Sequence, residues 1–188
     1  MYHWVFMKKI VVFAGNDCLF EREKYYYSLA LTTGRLLAEN GFTVVSGGGP
    51  GLMNEVMRGA YQAGGKTIAV CLEVAGRKHT EFATEKYFYQ SLPQRQGKLL
   101  SYADAFLSLP GGIGTLYEIA AVLALKRKKE INKDLPLILL SDYFQKFQNL
   151  LGFMREEGFI NNDLLNYYQI ALNSQKAVDL LKKYFSSI

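Results

Sequence analysis

Short aliphatic runs alternate with longer helical patterns along the whole chain, and no two-residue hairpin signal joins any pair of them. That order leaves little choice of fold. Strands joined by helical crossovers must run parallel, and a parallel sheet needs helices on both faces to cover it. Lys9 to Ala14 is a continuous apolar run of the kind expected for a strand buried on both sides. Phe42 to Ser46, Thr67 to Leu72, Ala105 to Leu109, Pro136 to Leu140 and Tyr168 to Leu172 read the same way, with a short strand near Tyr87 to Tyr89. Helices are expected over Glu21 to Asn40, Gly51 to Ala63, Pro93 to Ala103, Thr115 to Lys129 and Ser174 to Phe185. A further helix, N-capped by Asp142, should end near Gly158. Gly41 can stop the first helix in the left-handed conformation. The expectation is an α/β, Rossmann-like open parallel sheet in a single domain spanning residues 1–188. If Met7 is the native start, residues 1–6 are an extension.

With 188 residues, 49% hydrophobic and 21% charged, the chain can bury a sufficient core without staples. Cys18 and Cys71 lie far apart and form no C-x-x-C pair, so neither a zinc knuckle nor a disulfide framework is expected, and a reducing cytoplasm fits. No segment reads as a membrane span or an export signal. The net charge of +5 favours anionic ligands but is too small to indicate nucleic-acid binding. Its densest cluster, Lys126 to Lys129, reads as the solvated end of a helix.

Two strand-to-helix junctions are rich in glycine: Ser46-Gly47-Gly48-Gly49-Pro50-Gly51-Leu52-Met53 and Pro110-Gly111-Gly112-Ile113-Gly114-Thr115-Leu116-Tyr117-Glu118. Glycine removes the Cβ that would hold a ligand off the backbone, and the helix amides that follow present positive charge to an anion. One such loop is equally well explained as a tight turn. Two, after strands that can lie side by side, point to a phosphorylated ligand. The dinucleotide pattern G-x-G-x-x-G fails at both, with Leu52 and Tyr117 at its last position, and Gly65-Lys66-Thr67 leads from helix into strand, the wrong order for a P-loop.

The second loop resembles the P-G-G-x-G-T-x-x-E signature of the LONELY GUY (LOG) family, the cytokinin riboside 5′-monophosphate phosphoribohydrolases. The first resembles that family's other glycine motif, and Arg95 stands where the family has its arginine. The resemblance implies hydrolysis of the N-glycosidic bond of a nucleoside 5′-monophosphate, either AMP or a cytokinin riboside monophosphate, by a homodimer with no cofactor and no metal. It implies catalytic roles for Glu118 and Arg95, and binding of the 5′-phosphate by Gly111, Gly112, Gly114 and Thr115, with Gly48 and Gly49 lining the same cleft. Arg95 would contact the phosphate or assist departure of the base.

There are departures. The usual R-K pair is Arg95-Gln96, with Lys98 nearby, and Tyr117 stands where a second glutamate is common. Thr115-x-x-Glu118 is also a capping box. A non-catalytic binder of a phosphorylated ligand, such as a molybdenum-cofactor carrier, is the alternative. The lysine decarboxylase label often attached to such proteins has no pyridoxal-phosphate lysine to support it. His3 and His79 read as ordinary surface residues, Met53 and Met57 as core, and Ser46 and Asn54 as possible polar liners of the first loop.

Overall fold

The structure, a computed structural model, describes residues 7–187, so the extension expected at residues 1–6 lies outside it. The chain runs β1 (Lys9–Phe13), α1 (Phe20–Glu39), β2 (Thr43–Ser46), α2 (Leu52–Gln62), β3 (Thr67–Leu72), β4 (Glu85–Tyr89), α3 (Leu92–Tyr102) and β5 (Ala105–Ser108). It continues through α4 (Ile113–Lys128), β6 (Leu137–Leu140), α5 (Gln145–Glu156), β7 (Gln169–Ala171) and α6 (Ser174–Ser186). All strands join one parallel sheet in the order β4-β3-β2-β1-β5-β6-β7.

Strand alternation divides the core into two layers. Ile10, Val12 and Ala14 face α1, α2 and α6, while Val11 and Phe13 face α3, α4 and α5. Phe13 stacks on Phe106 across the β1–β5 pair at 5.7 Å between ring centroids. α1 and α2 approach closely because Gly34 and Gly59 lack side chains: a Cβ on either would fall within 2.0 Å of a carbonyl oxygen on the other helix.

The strand order reverses at β1. From β1 the chain steps outward through β2, β3 and β4, then crosses back to place β5 on the other side. In open α/β sheets ligands bind beyond the carboxyl ends of the strands at this switch point. The two glycine loops follow β2 and β5. Those strands do not pair with each other; β1 lies between them, so the loops face one another across its end.

Two expectations need correction, and one short strand is borne out with longer bounds. Asp142 is not the cap of α5: Ser141, at φ +84°, accepts from the Tyr143 amide and caps a single 3-10 turn, and α5 starts after it. The strand expected near Tyr87 spans Glu85–Tyr89, partly concealed in the sequence because its middle residues are exposed at the sheet edge. Lys126 is not solvated but buried, with its ammonium donating to the Leu135 and Tyr167 carbonyls. No helix among the described residues is long and apolar enough to cross a membrane.

Candidate active site

At the switch point lies an open cleft of about 350 Å³, walled by the loop after β1, the first glycine loop and the first turns of α3 and α4. The loop after β1 is tied to the second glycine loop by the Gly15 amide, which donates to the Pro110 carbonyl at 2.9 Å.

α4 begins at Ile113 with Gly112 as its cap, and the first ladder bond runs from the Leu116 amide to the Gly112 carbonyl. The amides of Ile113, Gly114 and Thr115 therefore have no acceptor within the helix. Thr115 and Glu118 both sit inside the helix and neither side chain caps it, so the capping-box reading fails. A Cβ on Gly112 or Gly114 would meet nothing within 4 Å, and neither residue has positive φ. The fold does not need glycine at these two positions; close approach of a ligand would. Gly111 differs, because a Cβ there would collide with the Thr115 hydroxyl.

Glu118 is one turn further along α4, 7% exposed, with its carboxylate on the cleft. Burial pushes its carboxyl up to about 7, against the opposing pull of Arg95. Arg95 enters from the first turn of α3, which is capped by the Ser91 hydroxyl and has Pro93 near its start. Its Nε donates to the Val70 carbonyl at 2.8 Å and a terminal nitrogen donates to Glu118 Oε1 at 3.3 Å. The cleft thus brings Glu118, Arg95, Gly112, Gly114 and Thr115 together.

The first glycine loop plays another part. A Cβ on Gly47 would fall 1.8 Å from an Arg95 guanidinium nitrogen, so Gly47 leaves the space in which Arg95 reaches Glu118. Gly48, at φ +64°, turns toward Cys71 and Ala69, and its carbonyl accepts from the Thr80 amide. Gly48 thus braces the loop against β3 rather than walling the cleft. Gly49 borders the cleft residues Arg77, Met53 and Asn16.

Ser46 is no liner: its hydroxyl is buried and donates to the Val12 carbonyl. Met57 is core, and Met53 serves as both core and cleft wall. Asn54 donates to Glu55 and does not reach the cleft. His79 is half-buried against the edge of Phe88, whereas His3 lies outside the described residues. Gln96 is buried with its amide unpartnered, Lys98 lies over the Tyr102 ring outside the cleft, and Tyr117 faces outward. Two cleft residues, Asn16 and Arg77, carried no motif. Arg77 lies in the polar connection between β3 and β4, a long connection of the kind that often carries binding residues.

Residues 53–181 match the family described as "Possible lysine decarboxylase". The chain is 30% identical to a probable cytokinin riboside 5′-monophosphate phosphoribohydrolase of Oryza sativa subsp. japonica, over 89% of this chain and 74% of that one. The chain belongs to the LOG family. It is 29% identical to a cytokinin riboside 5′-monophosphate phosphoribohydrolase of Arabidopsis thaliana, over 93% of this chain and 80% of the other. The LOG-family fold recurs in the solved molybdenum cofactor binding protein of Rippkaea orientalis, with a TM-score of 0.71 at 24% identity over 95% and 98% of the two chains. The decarboxylase description does not suit this member's cleft. Pyridoxal phosphate is held as a Schiff base on lysine, and among the described residues no lysine lines the cleft, whose cations are both arginines.

Proposed function

We propose that this LOG-family chain hydrolyses the N-glycosidic bond of a nucleoside 5′-monophosphate, AMP or a cytokinin riboside monophosphate, giving the free base and ribose 5-phosphate. The observation that carries the reading is the placement of Glu118: a buried carboxylate facing the cleft, one turn past three unbonded helix amides. In this reading the amides of Ile113, Gly114 and Thr115 hold the 5′-phosphate, and Gly112 and Gly114 let it approach. Breaking the C1′–N bond leaves positive charge on the sugar ring. The Glu118 carboxylate stabilises that charge and takes a proton from the water whose oxygen bonds to C1′. The departing base keeps the bond's electron pair and picks up a proton. Arg95 aims the carboxylate and favours its ionised form, although burial outweighs that pull.

Incubating the purified chain with AMP and following adenine release tests the proposal; release that disappears in Glu118→Gln supports it. The second reading, a non-catalytic carrier of a phosphorylated ligand, gives Glu118 no chemical task. Ligand binding without base release from any common nucleoside monophosphate would select it. The fold shared with the molybdenum cofactor binding protein is compatible with either reading.

We also propose a single-domain homodimer in a reducing cytoplasm. Exposed Ile113, Tyr117, Leu150 and Phe153 on α4 and α5 are apolar side chains that a second copy would cover. Cys18 and Cys71 are free thiols.

A further inference from the structure

The cleft holds two arginines, and their charges are not equally available. Arg95 is buried, hydrogen-bonded to a carbonyl and paired with Glu118, so its charge is largely answered within the protein. Arg77 is half-exposed and donates to Asn16 Oδ1 at 2.7 Å. That partner is neutral, and among the described residues Arg77 pairs with no carboxylate. A phosphate monoester near neutral pH carries close to two negative charges, while a helix N-terminus supplies only about half a positive charge. Arg77 is the cleft cation left to meet the remainder.

The surrounding backbone suits that role. Arg77 sits on the connection between β3 and β4, after Gly76 at φ +73°, in a turn closed by its own amide donating to the Val74 carbonyl. The connection is pinned on either side by Glu73 to the Tyr89 carbonyl and by Thr80 to the Gly48 carbonyl. Arg77 thus crosses the cleft mouth from the β3 side to the loop after β1. Gly49 lies directly beneath: a Cβ there would fall 2.6 Å from an Arg77 nitrogen and 2.9 Å from Asn16 Oδ1. The first glycine loop is therefore hollowed at Gly47 for one arginine and at Gly49 for the other.

We propose that Arg77 is a phosphate clamp, held here by Asn16 and transferred to the ligand's monoester on binding. The proposal deepens the reading of the site as one for a phosphorylated sugar, but it does not require that the chain cleave its ligand.

Calorimetric titration of the full chain with ribose 5-phosphate, with ribose as the uncharged control, tests it. Arg77→Ala should weaken ribose 5-phosphate binding about 10- to 100-fold, with Arg77→Lys recovering part of the loss. The salt dependence of binding should shrink in the alanine variant, which loss of a merely structural contact would not produce. If AMP is turned over, the alanine variant should lower kcat/KM for AMP and leave that for adenosine unchanged. Unaltered ribose 5-phosphate affinity in Arg77→Ala overturns the clamp, as does failure of the wild-type chain to bind ribose 5-phosphate. Absence of base release with the affinity loss intact would leave the clamp standing and overturn only the hydrolase.

Discussion

The two glycine loops look alike in sequence and do opposite work in the fold. In the first, every glycine from Gly47 to Gly51 answers to the protein's own atoms. Side chains there would strike Arg95, Cys71, Arg77 or the Asn16 carbonyl. In the second, Gly112 and Gly114 open onto empty space at the start of α4, and only Gly111 is required by packing. Glycine required by the chain itself is a structural necessity. Glycine in open space beside unbonded amides is explained by something that is not part of the chain.

A related contrast runs along α4. Glu118 near its start and Lys126 near its end are both buried, and burial pushes both toward neutrality, the carboxyl up to about 7 and the ammonium down to about 8. Lys126 is answered by two main-chain carbonyls and clips α4 to the segments before β6 and β7. Glu118 is answered by Arg95 and an open cleft.

The sharpest way to break the contrast is Glu118→Gln. Adenine release from AMP should fall by about 10²- to 10⁴-fold while the thermal midpoint stays close to wild type. Comparable loss of folding instead would place Glu118 with the structural residues. Gly51→Ala comes next, since its φ is +66° and a Cβ would lie 1.9 Å from the Asn16 carbonyl oxygen. Urea unfolding should show a loss of at least about 2 kcal/mol.

Gly112→Ala should behave in the reverse way, with stability within about 0.5 kcal/mol of wild type. Ribose 5-phosphate affinity should fall about tenfold, because the added methyl occupies the approach to the amides. Turnover should also follow the Glu118 carboxylate, rising with pH to a plateau above about 7. A falling profile across that range would assign the protonated form instead. The last test concerns Lys126. Its native value of about 8 lies below the ordinary 10.5, so the unfolded chain binds the proton more tightly. Relative to Lys126→Met, wild-type stability should therefore rise as pH increases between these values, as chemical denaturation would record.

The order of strands and helices was legible because buried parallel strands read as unbroken aliphatic runs such as Lys9 to Ala14, and glycines mark the junctions. β4 was only partly visible, since an exposed edge strand has no such run. At the site, Glu118 and Thr115 were marked by spacing. Arg77 was not, because it reaches the cleft by crossing space from a connection with no pattern, and Gly48 bordered the cleft only in sequence.

The sequence alone therefore settled the fold class, the family resemblance and the helix that carries the acidic group, all of which depend on periodicity or local spacing. Tertiary structure decided which glycines serve the fold and which leave room for a ligand, that Lys126 is buried, and that Arg95 pairs with a carboxylate while Arg77 meets only a neutral amide. Those facts depend on what lies opposite each residue after the chain returns from far away. Burial and charge pairing are set by such long-range neighbours, and no local window of sequence contains them.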